Sequence, residues 1–389
     1  MSHRMQSAFI TLVAAALAWP SAAPGAAQAT QAPASPQPSH RVWTSISTGS
    51  FHACGIRVDH SLWCWGSGHS GQIGDGRNQR RKVPTRVGTD FDWAHVDLGG
   101  NHTCAIRSDH TLWCWGANYV GQLGTGDLDY RRSPAQVGAD MDWAAVSGGD
   151  SYSCGIRTDH TLWCWGYNIY GQLGLGDTTD RTLPTRVGTD TDWVRLGAGG
   201  YHTCGIRTDH TLWCWGYNVG GQLGLGDGAG TTRTTPARVG TASNWARVSA
   251  AYYHSCGVRF DATLWCWGRN TYGQLGVGDP RSRNVPTQVG SDTDWAGVDA
   301  GGYHTCGTRS DRTLWCWGDN SYGQLGLGDT TNRFSPAQVG ADTGWAGAGA
   351  GGFFTCAHRT GHSLWCWGAN RYGQLGLGDR TDRSLPERV

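Results

Sequence analysis

The cysteines are the residues whose type and spacing most clearly indicate chemistry. All 14 occur in pairs ten positions apart, and the pattern recurs every 50 residues, once after 52. Oxidation of each pair to a disulfide is the favoured chemistry, and the alternative is a set of reduced thiols packed as small buried hydrophobes. The predicted disulfides are Cys54–Cys64, Cys104–Cys114, Cys154–Cys164, Cys204–Cys214, Cys256–Cys266, Cys306–Cys316 and Cys356–Cys366.

Histidines and aspartates recur with the same period and raise the question of metal binding. Equivalent positions on successive repeats are too far apart to share one ion unless they point into the axis of a ring, and no His-x-x-His or Cys-x-x-Cys spacing occurs. The glycine-loop aspartates, such as Asp177, are followed by an arginine, here Arg181, that would repel a calcium ion. We therefore predict structural histidines and loop-bracing ion pairs, with no metal site, no cofactor and no catalytic residues. The main histidine series is His52, His102, His202, His254 and His304.

Short β-strands are the elements that must position these residues. No segment has helical periodicity, while the apolar runs are short, alternate with period two and are separated by glycines. The third repeat predicts four strands, around Trp143–Val146, over Tyr152–Arg157, over Leu162–Trp165 and near Pro184–Val187. A glycine loop at 171–177 separates the last two strands.

The cysteine spacing makes a specific prediction about strand register. If Thr158-Asp159-His160 is a three-residue hairpin loop, Arg157 faces Thr161 and Cys154 lies directly opposite Cys164. Opposed residues in an antiparallel pair have Cα atoms roughly 4.5 to 5.5 Å apart, which suits a disulfide. A loop one residue shorter or longer would place the two sulfurs on opposite faces.

The tryptophans predict how the repeats pack. Trp163 and Trp165 flank Cys164 and therefore point to the face opposite its sulfur, and Trp143 adds a third indole. A single four-stranded unit cannot bury three indoles, whereas repeats stacked in a closed ring can. The predicted fold is an all-β, seven-bladed propeller with four antiparallel strands per blade. Its ring is expected to close between the N-terminal and C-terminal strands.

The repeat resembles that of the regulator of chromosome condensation family over residues 42–389. The resemblance implies a seven-bladed propeller, and the founding eukaryotic members are nuclear guanine-nucleotide exchange factors that also bind chromatin. This chain has an export signal, no basic tail and no insertion long enough for an exchange-promoting wedge, so the function of those members is not expected to carry over. The chain is identified as a secreted, bacterial-type member of the family. The residues that carry the resemblance in one repeat are His202-Thr203, Leu212-Trp213-Cys214-Trp215-Gly216, Asn218, Gly221-Gln222-Leu223-Gly224-Leu225-Gly226-Asp227 and Pro236-Ala237-Arg238-Val239.

The N-terminus and the composition bear on location. Residues 1–29 are predicted to be a signal peptide, with an apolar stretch from Ala8 to Trp19 and a cleavage site at Ala27-Gln28-Ala29. An uncleaved membrane anchor is the alternative. Residues 30–41 form a Pro/Ala-rich linker, and the propeller occupies 42–389. The mature protein is expected outside the cytoplasm, either extracellular or periplasmic.

The charge pattern limits the partners. The net charge is +1, only 16% of residues are charged, and no basic run occurs. Nucleic acid is therefore not expected as a partner, and neither is membrane insertion after signal cleavage. A protein or peptide is the expected partner, a glycan is an alternative, and the protein is expected to be a monomer.

One variable position per repeat is the candidate binding site. It lies three residues before the first cysteine of each pair, and the first and last blades adjoin in a closed ring. Five aromatic side chains then form an arc interrupted by Asn101 and Ser151. Aromatic residues on one rim would suit a protein, peptide or sugar, and the alternative is that they pack between blades. The five are Phe51, Tyr201, Tyr253, Tyr303 and Phe353.

These features predict a secreted, disulfide-stapled scaffold that binds a protein or peptide through an aromatic rim. Two alternatives remain open at this point. One is an extracellular enzyme acting on a glycan or peptide, and the other is an architectural or adhesive surface protein. A non-enzymatic role is favoured over catalysis.

Overall fold

The computed structural model describes residues 42–228 and 230–389, which form a seven-bladed β-propeller. Each blade is one antiparallel sheet of four strands taken in order from a single stretch of chain. The described residues contain no helix. The predicted fold is therefore confirmed. The predicted signal peptide and linker lie outside the described residues.

The two inner strands of each blade carry the first tryptophan and the first cysteine. The first strands are Trp43–Thr48, Trp93–Leu98, Trp143–Gly148, Trp193–Ala198, Trp245–Ala250, Trp295–Ala300 and Trp345–Ala350. The second strands are His52–Arg57, His102–Arg107, Tyr152–Arg157, His202–Arg207, His254–Arg259, His304–Arg309 and Phe354–Arg359.

The two outer strands carry the second cysteine and the proline. The third strands are Leu62–Gly66, Leu112–Gly116, Leu162–Gly166, Leu212–Gly216, Leu264–Gly268, Leu314–Gly318 and Leu364–Gly368. The fourth strands are Arg81–Arg86, Arg131–Gln136, Arg181–Arg186, Arg233–Arg238, Arg283–Gln288, Arg333–Gln338 and Arg383–Arg388. The fourth strand of the third blade thus begins three residues before Pro184, which lies within the edge strand, where a missing backbone N–H is tolerated.

The hairpin between the second and third strands has the predicted geometry. The Arg157 backbone N–H donates to the Thr161 carbonyl over 3.0 Å, which leaves a three-residue loop. His160, the third loop residue, has φ 63°, the left-handed conformation that such loops use. Cys154 lies opposite Cys164 in the ladder. Every predicted pair is joined by a disulfide, with Cα atoms 4.1 to 4.2 Å apart.

Neighbouring blades bury the disulfide face of one against the tryptophan face of the next. The Cys154–Cys164 disulfide packs in one cluster with Trp193 and Trp215 of the following blade. The two indoles meet edge to face, with ring centroids 5.7 Å apart. The Trp215 Nε1–H also donates to the carbonyl of Gln172 in the preceding blade, over 2.9 Å. Shape and directed hydrogen bonds such as this one therefore fix the interface.

The ring closes between the last and the first blade by the same kind of packing. The Trp65 Nε1–H donates to the Gln374 carbonyl over 2.9 Å. The backbone N–H of Trp43, which opens the first strand, donates to the His362 carbonyl over 3.1 Å. No strand from one end of the chain pairs within the sheet of the other end, because each described sheet contains only its own four consecutive strands.

Ion pairs brace the glycine loops between the third and fourth strands. The Arg181 guanidinium lies 2.6 Å from the Asp177 carboxylate, and the Asn168 amide donates to the Asp177 carbonyl over 3.1 Å. The predicted structural role of these aspartates and arginines agrees with this geometry. The first blade uses Asp75 with Arg81 for the same purpose, although their spacing differs.

Candidate functional site

The strand order gives the propeller two distinct ends. The upper face carries the loops that join the first strand to the second and the third to the fourth, at 149–151 and 167–180 in the third blade. These loops touch each other, since the Tyr167 N–H donates to the Ser151 carbonyl over 3.0 Å. The lower face carries the hairpin tips and the connections between blades. The predicted aromatic residues all belong to the upper face.

Four of the five predicted aromatic side chains form a continuous row across four blades, the aromatic arc. Ring centroids are 6.4 Å apart for Tyr201 and Tyr253, 6.1 Å for Tyr253 and Tyr303, and 5.8 Å for Tyr303 and Phe353. Each of these side chains is partly exposed. They are therefore neither fully buried between blades nor free in solvent.

Phe51, the fifth predicted residue, contacts a ring that is not part of the arc. Its centroid lies 5.2 Å from that of Tyr372 in the last blade. Tyr372 belongs to a second aromatic row that the sequence analysis missed. The members of this row stand just before the Gly-Gln-Leu of the glycine loops, a position that could have been compared between repeats. They are Tyr170, Tyr272, Tyr322 and Tyr372.

The second row supports the first from the neighbouring blade. Tyr170 contacts Tyr201, Tyr272 contacts Tyr303 and Tyr322 contacts Phe353, each with centroids 5.6 Å apart and steeply inclined ring planes. Tyr272 and Tyr322 are themselves 37% and 46% exposed. The upper face therefore presents a two-row aromatic surface whose rings hold one another in place.

An axial channel opens inside the arc, lined by the first strands of all seven blades, with a cavity of about 330 Å³. Two carboxylates face it, each held by a serine: the Ser47 hydroxyl donates to Asp97 and the Ser249 hydroxyl to Asp299, over 2.9 and 3.0 Å. The Ala350 N–H also donates to Asp299 over 3.0 Å. Burial, with a smaller contribution from the charge of Asp97, raises the pKa of Asp299 to about 7.

Three side chains from alternate blades close the upper mouth of this channel. Tyr252 extends from the fifth blade, and its hydroxyl donates to the Asp150 carboxylate of the third blade over 3.0 Å. The same hydroxyl shares a hydrogen bond with Ser50 of the first blade over 2.5 Å. The Ser151 hydroxyl also donates to Asp150, over 3.4 Å. Burial raises the pKa of the Asp150 carboxyl group, against these hydrogen bonds.

Glycines at the equivalent position of other blades make room for these side chains. A Cβ atom on Gly200 would lie 2.5 Å from Cδ1 of Tyr252, and one on Gly100 would lie 2.4 Å from an Asp150 carboxylate oxygen. Both distances are shorter than any stable contact. Ser50, Asp150 and Tyr252 are thus the three departures from glycine at one repeat position, four residues before the first cysteine.

The sequence analysis did not find this cluster. The repeat frame aligns the three positions, but they are up to 202 residues apart and lie in non-adjacent blades. Only the closed ring places them across the axis from one another.

The main histidine series lies buried between blades. The His304 Nε2–H donates to the Thr355 hydroxyl of the next blade over 2.9 Å, and that hydroxyl donates to the Gln324 carbonyl over 2.8 Å. Because the hydroxyl proton is used in this way, the imidazole carries a proton on Nε2. Its buried Nδ1 has no hydrogen-bond partner among the described residues, which fits the neutral form. Burial lowers the pKa to about 3 for His52, His202 and His254 and to about 4 for His102 and His304.

At the two breaks in the histidine series, the neighbouring blade carries a side chain that matches the replacement. Tyr152 replaces histidine in the third blade, and its hydroxyl shares a hydrogen bond with Thr203 over 2.9 Å. Phe354 replaces it in the last blade and packs in one cluster with Ala53, where the other blades have serine or threonine. At the interface that closes the ring, the histidine donor and the hydroxyl acceptor are therefore both absent.

The structure also provides evidence on metal sites and on membrane-spanning helices. Within residues 42–228 and 230–389, no group of three or more His, Cys, Asp or Glu side chains is arranged to hold a metal ion. The described part of the chain also has no helix of the length and apolarity that crossing a membrane requires.

Comparison with known proteins places the chain in a family. The model described as the Regulator of chromosome condensation (RCC1) repeat matches seven segments, at residues 59–106, 109–156, 159–206, 209–258, 261–307, 312–358 and 362–389. The chain belongs to the regulator of chromosome condensation family. A second model with the same description matches six overlapping segments between residues 43 and 324. No curated protein matches the chain significantly.

Several solved structures share the fold at low sequence identity. Human WBSCR16 is 23% identical, with a TM-score of 0.76, and the match covers 85% of this chain and 93% of that protein. Yeast RCC1 (Prp20), in a structure with bound Kap60, is 20% identical, with a TM-score of 0.75 and coverage of 90% and 85%. Another structure of Prp20p from Saccharomyces cerevisiae gives 20% identity and 0.76, with coverage of 90% and 87%. At these identities the likeness shows the fold.

Proposed function

We propose that this protein is an exported, disulfide-stapled propeller that binds a protein partner through the aromatic arc on its upper face. The observation that carries the proposal is the row of partly exposed rings from Tyr201 to Phe353, which spans four blades. Tyrosines are enriched at the energetic centres of protein interfaces because they bury a large area and lose little conformational entropy. A second row behind them reduces that entropy cost further.

The rest of the molecule is consistent with a rigid platform. Each blade carries one disulfide, so the loops that hold the arc extend from cross-linked sheets. A family relative supplies a parallel, since Prp20p from Saccharomyces cerevisiae binds Gsp1p and histones. Binding of proteins by a propeller of this family is therefore precedented.

Export is part of the proposal. It rests on the apolar N-terminal stretch with its Ala27-Gln28-Ala29 site and on the use of every cysteine in a disulfide, which is typical of oxidising compartments. Expression of the full chain in its own host, followed by N-terminal analysis of the fraction outside the cytoplasm, tests it. A mature chain starting at Thr30 supports export. Uncleaved protein retained in the cytoplasm contradicts it.

The binding surface is tested by affinity capture with matched variants. Wild-type protein captures partners from the culture fluid and envelope extract of its host, and mass spectrometry quantifies them. Tyr253→Ala/Tyr303→Ala is expected to reduce recovery of a specific partner at least about tenfold, since two interface tyrosines at 1 to 2 kcal/mol each exceed that factor. Thermal unfolding confirms that the variant remains folded.

The control removes two aromatic rings from the opposite end of the molecule. Phe91 and Phe260 lie on the lower face and are 57% and 63% exposed. Phe91→Ala/Phe260→Ala should capture the same partner as wild type. Equal recovery by the upper-face variant, or loss only in the lower-face variant, would refute the arc as the binding surface. Capture of a glycan in place of a protein would refute the partner class.

A further inference from the structure

The upper mouth of the axial channel contains a carboxylate with no cationic partner. No Lys, Arg or His nitrogen of the described residues lies within 4.0 Å of the Asp150 carboxylate oxygens, whereas the glycine-loop aspartates each pair with an arginine. Asp150 accepts hydrogen bonds from the hydroxyls of Tyr252 and Ser151. A carboxylate has about four acceptor sites, so these two donors leave room for more. The side chain is partly exposed at the mouth.

Tyr252 links this carboxylate to the aromatic arc. The ring of Tyr252 lies 6.3 Å from that of Tyr253 and 6.5 Å from that of Tyr303, inclined at only 25° to the latter. Burial first, and then the charge of Asp150, raises the pKa of Tyr201 to about 12. A carboxylate joined through Tyr252 to neighbouring tyrosine rings is an environment that favours a cation.

The same surface already shows one cation on a tyrosine. The guanidinium of Arg269 lies over the ring of Tyr253, 5.6 Å from its centroid. That arginine belongs to the chain itself, and Asp150 has no such internal partner among the described residues. The missing counter-charge is therefore one that a ligand can supply.

We propose that Asp150, with Tyr252 and the adjoining rings of the arc, receives a lysine or arginine side chain from the bound protein. The proposal rests on the proposed function, because the partner must lie on the aromatic arc for its cationic side chain to reach the axis. Asp150 then fixes which partner is accepted, while the arc supplies the contact area. Charge-assisted hydrogen bonds to Asp150 and cation–π contacts to the tyrosines act on the same group.

A random peptide library displayed on phage tests the proposal without a known partner. The library is selected in parallel on full-length wild type, on Asp150→Asn and on Asp129→Asn. Asn keeps the shape of the side chain and the acceptor for Tyr252 but removes the charge. Asp129 is the matched control, because it lies in an upper-face loop of the second blade with 84% of its side chain exposed. Wild type and the control are expected to enrich Lys or Arg at one fixed position, and Asp150→Asn to lose that enrichment while still selecting aromatic and apolar residues.

A double-mutant cycle then measures the contact. A selected peptide is compared with a version carrying norleucine in place of the basic residue, by fluorescence polarisation. The replacement should weaken binding to wild type about tenfold or more, the range for a hydrogen bond to a charged group, and leave binding to Asp150→Asn nearly unchanged. Undiminished Lys or Arg enrichment in Asp150→Asn, or equal weakening for both proteins, would overturn the proposal.

The outcomes for the site and for the arc are distinguishable. Tyr253→Ala/Tyr303→Ala is selected against the same library. If it enriches the wild-type peptides, the arc is wrong whatever Asp150 does. If the Tyr253→Ala/Tyr303→Ala variant fails to enrich the wild-type peptides and those peptides are neutral, the arc is supported as the binding surface and the proposed cation site at Asp150 is refuted.

Discussion

The closing pair Phe354 and Ala53 suggests a variant that tests the histidines between blades. His304→Phe/Thr355→Ala transfers this natural apolar pair to the interface between the sixth and seventh blades. The double substitution removes the buried imidazole of His304. Burial lowers the pKa of this imidazole to about 4, and the charge of Asp319 has a smaller effect in the opposite direction. Gly301 beside His304 and Gly351 beside Phe354 give both rings similar space.

The magnitude follows from proton linkage. A group whose folded-state pKa is depressed costs stability as pH falls below its unfolded value, about 6.5 for histidine, because only the unfolded chain then takes up the proton. The loss is about 1.36 kcal/mol per pH unit until the folded-state pKa is reached. Between pH 7 and pH 5, His304 therefore accounts for about 2 kcal/mol of the lost free energy of unfolding.

The assay is guanidinium chloride unfolding without reductant, followed by tryptophan fluorescence at pH 7 and pH 5. The double variant should lose about 2 kcal/mol less than wild type between the two conditions. His110→Asn serves as the control, because this hairpin-tip imidazole is exposed and asparagine tolerates its φ of 65°. The control should follow wild type. An identical pH-dependent loss in wild type and in the double variant would refute the assignment of a neutral, buried imidazole.

Two further predictions concern the disulfides and the upper mouth of the channel. Iodoacetamide without reductant should add no mass to the purified protein, since every cysteine is in a disulfide, and labelling of several cysteines would contradict this. Gly200→Ala should displace the Tyr252 ring from Asp150 and lower the melting temperature, because the new Cβ would lie 2.5 Å from Cδ1 of Tyr252. Adding Tyr252→Gly should remove most of that cost, so additive losses in the double variant would contradict the proposed clash.

The repeat made most of the fold predictable from the sequence. Local physics determines the hairpin: cysteines ten positions apart and a three-residue loop leave one register, and Cys154 lies opposite Cys164 as expected. The alternation of side chains in the third strand predicted tryptophans on the face opposite the cysteine sulfur, and the structure adds that this face packs against the disulfide of the neighbouring blade. Such features repeat seven times, so each prediction was supported by seven independent segments.

The candidate site was predictable only in part. The arc was predicted because one variable position of the repeat carries an aromatic residue in neighbouring blades, Tyr201, Tyr253 and Tyr303 among them. The cluster at the upper mouth of the channel was not predicted, because Asp150 and Tyr252 interact across the axis and not between neighbouring blades. Sequence comparison of repeats shows where the pattern breaks, but the direction in which a loop side chain leans depends on the glycines of other blades.

The pair Phe354 and Ala53 also has a consequence for how the ring can open. Six blade interfaces are crossed by the polypeptide itself, whereas the interface between the last and the first blade is held by side-chain packing and a few backbone hydrogen bonds. Because each blade is a contiguous sheet, separation there breaks no strand pairing. A force that widens the channel is therefore expected to separate the last blade from the first. Each blade is cross-linked by its own disulfide and would move as a rigid body.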